Sequence, residues 1–251
     1  MMPDPLARSV VLVTDYRVPD PGRVWPLVEQ HRDSLARLGA HHVLVYTSAV
    51  EPGRVLAVMA IDAVQPITDL LRQTGFMAWF DAVGVIDIPA VFAGYLVQRI
   101  ELTDPVDASA TSTPASLAEP PGSWGGSGFT STPPARGPTP ASLAEPPGEV
   151  VAAVAEVADP QTLIAHVQGT TKQFHAAGIR RIWIFQAFDN PREMFMLQEA
   201  AEGVAERAAV RWIDEPEFAA EWITRAGVGI YPPVFVGRLA QLMRVGDDTA
   251  D

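Results

Sequence analysis

Cysteine is missing from all 251 positions. Its absence removes disulfides, thiolate nucleophiles and cysteine-ligated metals. Lysine occurs once, at Lys172, and the formal net charge at pH 7 is −12. So acidic a chain repels phosphate backbones and anionic bilayer surfaces, which argues against nucleic acid and membrane as partners. No apolar run approaches the roughly 20 residues a membrane-crossing helix needs. The start, Met1-Met-Pro-Asp-Pro-Leu-Ala-Arg8, lacks the basic and apolar segments of a secretory signal. A cytoplasmic protein is the expectation. No nucleophile elbow, Walker loop or dinucleotide-binding glycine pattern occurs, since Gly125-Gly-Ser-Gly128 sits in low-complexity sequence.

What the chain does contain is a repeat. Pro89-Ala-Val-Phe-Ala-Gly-Tyr-Leu96 returns as Pro232-Pro-Val-Phe-Val-Gly-Arg-Leu239, at an offset of 143 that also relates Trp79 to Trp222. Further upstream the offset is 139, relating Asp20-Pro21 to Asp159-Pro160, Gly39 to Gly178 and Tyr46 to Phe185. A tandem duplication is the expectation, with one unit over residues 1–102 and a second over residues 149–246. Residues 247–251 form an acidic tail. Residues 103–148 hold 10 of the 23 prolines and 6 of the 19 glycines, and Thr113–Gly122 recurs letter for letter as Thr139–Gly148. Such composition buries too little surface to offset its ordering entropy, which predicts a linker. A docking segment for a protein partner is the alternative, through Leu117, Leu143, Trp124 and Phe129.

Within each unit the pattern is β-α-β-β-α-β. Ser9–Tyr16, His42–Ser48, Arg54–Ile61 and Val91–Ile100 are β-branched or alternating segments, as strands require. Asp20-Pro21 starts a helix that Gly39 closes. Pro66–Thr74 is a short helix, followed by an aromatic-rich turn at Phe76–Phe80. The second unit gives strands Val150–Val157, Arg181–Ala187, Glu193–Gln198 and Val234–Arg244, with helices Pro160–Ala177 and Pro216–Ala226 and helical material over Ala200–Ala209. In the second strand, alternation sends His42, Leu44 and Tyr46 to one side and Val43 and Val45 to the other. Both faces are apolar, so both need cover.

This order, with Phe76, Trp79 and Phe80 before the last strand, resembles the dimeric α+β barrel superfamily, ferredoxin-like units that include antibiotic-biosynthesis-type and haem-degrading monooxygenases and chlorite dismutase-like proteins. The resemblance implies an α+β fold in which the two repeats pair sheet to sheet around a shared interior, within one chain or across a homo-oligomer. Haem-degrading relatives use an asparagine, a histidine and a tryptophan. The single asparagine, Asn190, falls in the turn after a second strand, so only Trp79 and Trp222 carry over, as pocket tryptophans or as plugs between helix and sheet. None of the five histidines is matched by histidine in the other repeat, and none shows helical metal-site spacing. His41 and His42 point to opposite faces, and their counterparts are Arg180 and Arg181. Glu199, Glu202 and Glu206 line a helix as a solvated face.

The candidate pocket comprises His42, Tyr46, Trp79, Tyr95, Arg181, Trp183 and Trp222. It points to a small apolar ligand, or a protein partner, held in or on the inter-sheet space, with no cofactor predicted. A monooxygenase, cofactor-independent or haem-using, with Tyr46, Trp79 and His42 at its centre is the alternative. An assembly protein acting through the proline-rich segment is the third reading. Gly94 and Gly237, mid-strand, predict a bulge or a close backbone approach.

Overall fold

A computed structural model describes residues 10–62, 74–87, 89–102, 148–205, 216–225, 227–228 and 234–245, the side chains of 74–77, 216–219 and 223 excepted. Eight strands form one closed barrel: β1 (Val10–Arg17), β2 (Ala40–Ser48), β3 (Arg54–Ile61), β4 (Ala90–Glu101), β5 (Glu149–Glu156), β6 (Ile179–Ala187), β7 (Glu193–Ala200) and β8 (Phe235–Arg244). Their order around the barrel is β1-β3-β2-β8-β5-β7-β6-β4, and every neighbouring pair is antiparallel. The first four strands make one ferredoxin-like sheet and the last four another. The sheets join at two seams, β2 with β8 and β4 with β6. The pairing therefore takes place within one chain, and no strand keeps a free edge.

Proline and glycine explain where strands stop; side-chain alternation explains which face they bury. Val11, Val13, Leu44, Tyr46, Leu56 and Phe92 from the first sheet meet Val150, Trp183, Phe185, Phe195, Leu197 and Phe235 from the second inside the barrel. Phe195 lies 5.6 Å, ring centre to ring centre, from both Phe92 and Phe185, so aromatic contacts tie the sheets together. Many of the intervening residues face outward and pack against helices.

On the first sheet these helices are α1 (Val24–Gln30), α2 (Arg32–Arg37) and α3 (Thr74–Val83); on the second they are α4 (Pro160–Gly169), α5 (Thr171–Ala176) and α6 (Pro216–Arg225). Asp20 and Asp159 cap the entries: Asp20 accepts from the Gly22 amide at 2.9 Å, and Asp159 accepts from the Thr162 amide and hydroxyl at 3.1 and 2.7 Å. The single helix expected in each half is broken once, at His31 and at Thr170. These two positions correspond at the offset of 139. The aromatic turn expected at Phe76–Phe80 is helix α3 instead. Phe76, Trp79, Phe80 and Val83 recur at i, i+3, i+4 and i+7, a helical period. Of the helical material expected over Ala200–Ala209, Ala200 ends β7 and residues 202–204 form a turn instead; residues 206–209, nearly all of the expected helix Pro66–Thr74, nearly all of residues 103–148 and the acidic tail fall outside the described residues.

The repeated Pro-x-Val-Phe-x-Gly-x-Leu unit builds the seams. Phe92 and Phe235 are 1% exposed and anchor the inner core. Gly94 pairs with Ala187, and Gly237 with Ser48. A Cβ at Gly94 would stand 2.1 Å from the Gln186 carbonyl oxygen, and one at Gly237 2.4 Å from that of Thr47. Both seams also carry a β-bulge, one between Leu96 and Gln98 on β4, the other opposite Val45 and Tyr46 on β8. The bulged residues, Val97 and Ala240, differ by the same 143.

Candidate ligand-binding site

The residues expected to form one pocket occupy three places. Tyr46 and Trp183 lie inside the barrel, 0% and 1% exposed. Arg181 joins them at one mouth, its guanidinium 5.2 Å from the Trp183 ring centre, with ion pairs to Glu101 at 3.1 Å and Glu199 at 3.4 Å. Burial pushes the Glu199 carboxyl above its ordinary range, although Arg181 pulls the other way. Burial also raises the Tyr46 phenol, helped by the negative charge of Glu199. Neither the Tyr46 hydroxyl nor Oε2 of Glu199 makes a hydrogen bond. Glu199 thus stands on strand β7 with its carboxyl half-withdrawn, not on a solvated helix face.

His42 stands at an end of β2, and its Nδ1 is 2.6 Å from Nδ1 of His41. The two rings were expected on opposite faces. A bulge between Ala40 and His42 breaks the alternation and turns them together.

Trp79, Tyr95 and Trp222 lie on the outer side of the wall. Trp79 packs in the first-half helix layer, edge-on to His31 at 6.2 Å. Tyr95 is 43% exposed beside Phe188 and donates to Oε1 of Gln186 at 3.1 Å. Trp222, 2% exposed, sits in the second-half helix layer against His166 and Phe174, at 4.9 and 6.0 Å. Burial lowers the His166 pKa, which keeps that imidazole neutral near pH 7.

Beside Trp222 is a cavity of about 40 Å³. Its floor is the outer face of β5 and β7: Val151, Ala153 and Ala155, then Met194, Met196 and Gln198. Leu163 of α4 and Trp222 of α6 form its walls, and Val228 and Val234 complete the described lining. Gln198 is 3% exposed and is the one polar side chain among the described lining residues. No carboxylate, imidazole or amine lines the cavity there, so its chemistry is apolar contact with one amide anchor.

Of the expected pocket residues only Trp222 reaches this cavity. Ala155, Met194, Met196 and Gln198 were not singled out, although one signal for them was present. Tyr16 and Ala155 correspond at the offset of 139, as do Met59 and Gln198. The registers agree: Tyr16 pairs with Val55 and Ala155 with Met194, while Met59 pairs with Leu12 and Gln198 with Val151. Tyr16 is 3% exposed and packs edge-on to Phe80 at 5.8 Å. The first half thus has a ring where the second has a methyl group.

No protein-family model matches the sequence, and no curated protein does. Solved structures do. An anthrone oxidase-like protein superposes with a TM-score of 0.60 over 99% of this chain and 98% of its own, at 11% identity. The chain has the dimeric α+β barrel fold. A monooxygenase-like protein from Listeria innocua matches over 96% of this chain and 99% of its own, at 8% identity and a TM-score of 0.44. A ferredoxin-fold protein related to antibiotic biosynthesis monooxygenases, from Listeria monocytogenes, matches 94% and 97%, at 8% identity and 0.44. At these identities the likeness concerns the fold.

Haem fits the barrel's described residues poorly. Buried aromatic rings fill the inner face, and His42, at its mouth, turns its Nδ1 onto His41. His166 packs on Trp222 outside the wall. No group of three potential metal ligands occurs among the described residues, and no described helix is long and apolar enough to cross a membrane.

Proposed function

We propose that this α+β barrel binds a small, largely apolar molecule in the cavity between the outer face of β5 and β7 and helices α4 and α6. The observation that carries the proposal is the cavity itself: about 40 Å³ of space walled by alanine, valine, leucine, methionine and Trp222. Close packing normally leaves few such voids, and an apolar void stays dry and accepts apolar guests. The inter-sheet space holds Tyr46, Phe92, Trp183, Phe185, Phe195 and Phe235, packed into one buried core.

Binding is favoured over catalysis because the described lining residues include no general acid or base. The anthrone oxidase-like neighbour raises an oxidase as the alternative activity. His166, its ring centre 4.9 Å from that of Trp222, is a described side chain able to exchange a proton beside that wall. Crystals pressurised with xenon test the binding reading. Xenon between Ala155, Met194 and Trp222 is the expected result. Xenon found only elsewhere, or not at all, overturns it.

A further inference from the structure

The two halves carry the same fold and differ where it matters for a ligand. In the first half Tyr16 occupies the layer between sheet and helices, and Met59 stands beside it as an apolar filler. At the matching positions of the second half, Ala155 leaves space and Gln198 brings an amide to its wall. The two differences act in one direction: one vacates volume, the other adds a hydrogen-bonding group facing that volume. A random loss of packing accounts for the first but not for the second. An amide at the wall of an apolar space gains when a guest in that space supplies a hydrogen-bond partner.

We propose that Ala155 and Gln198 are the specificity-determining residues of the cavity, which takes an apolar-bodied molecule bearing one neutral carbonyl or hydroxyl group. This rests on the binding reading above. Gln198 offers both N–H donors and a carbonyl acceptor, so it pairs with either group. An ionised group is disfavoured, because the described lining residues supply no counter-charge and burying a lone charge is costly. Ala155 sets the size limit, since a phenol ring at that place fills the equivalent space in the first half.

Isosteric probes separate the anchor from the space: acetone carries a carbonyl where isobutene carries a methylene. Each is titrated into the 15N-labelled full chain and followed by NMR. Both are expected to shift resonances of residues lining the cavity, and acetone alone is expected to shift the Gln198 side-chain amide. In Gln198→Met the preference for acetone relative to isobutene falls about fivefold, the worth of one neutral hydrogen bond. In Ala155→Tyr neither probe binds, while the spectrum elsewhere stays that of the folded barrel. An unchanged preference in Gln198→Met overturns the anchor while isobutene binding leaves the apolar site standing. Isobutene still bound by Ala155→Tyr overturns the size limit. Failure of both probes with the wild-type chain overturns the site and this inference together. In the double variant Tyr16→Ala, Met59→Gln, a second cluster of shifts around Trp79 is expected, and its absence from a folded variant contradicts the assigned roles.

Discussion

Gly94 shows how much one residue settles. Its α-carbon faces the Gln186 carbonyl so closely that a methyl group would overlap it at 2.1 Å, and both atoms belong to backbone paired across a seam. Gly94→Ala is expected to lower unfolding stability by about 3 kcal/mol, the upper end of overpacking costs, in urea titrations. A change below about 0.5 kcal/mol contradicts the close approach. Glu199 gives a residue-scale prediction with a sign. Its carboxyl is raised by burial, so between the ordinary value of 4.5 and the folded value the native state binds more protons than the unfolded chain. Its contribution therefore becomes less favourable as pH rises through that window. Glu199→Gln is expected to gain on the wild type in stability as pH rises from 4.5 through the raised folded value. A gap that narrows with rising pH contradicts this assignment. At this scale the sequence was only partly legible. The mid-strand glycines announced a close approach. The fate of Glu199 was hidden, because β7 continues through Ala200 where a helix pattern was expected.

Elements show the same division. Strand β3 is visible to the residue in its alternation and its flanking Pro-Gly turn, and Asp-Pro marks both capped helix starts. Asp159→Ala removes acceptors for the Gln161 and Thr162 amides, and about 1 kcal/mol of stability is expected to go with them. Thermal unfolding of that variant checks it, and an unchanged midpoint speaks against the cap. The bulge between Ala40 and His42 was illegible, since one extra residue alters no local propensity yet reverses which side chains face inward. His41 and His42 meet for that reason. The cavity was illegible for a related one: it depends on the absence of a ring at Ala155, and absences show only when the halves are compared position by position. Trp222→Ala is expected to cost about 3–5 kcal/mol, because that ring fills the layer between α6 and the sheet.

At the scale of the molecule, two sheets that could each have paired with another chain instead close on one another. Their inner faces share a single aromatic core, and two seams leave no edge for further strands. The sequence foretold the need for a partner surface, because both faces of its strands are apolar. It did not foretell closure within the chain, which depends on β2 meeting β8 and β4 meeting β6 in register. A fragment of residues 1–102 keeps β2 and β4 as open edges and is expected to self-associate or precipitate; light scattering decides, and a stable monomer contradicts the account. The most direct measurement uses the chain's lack of cysteine. Thr47 and Arg238 are register partners across the β2–β8 seam. Antiparallel partners of this kind stand about 4.5–5.5 Å apart at Cα, within disulfide reach. In Thr47→Cys, Arg238→Cys, mild oxidation is expected to form a disulfide inside single chains, seen as a monomer of altered mobility on a non-reducing gel. Disulfides joining only separate chains, or thiols left free, would contradict a barrel closed by one polypeptide.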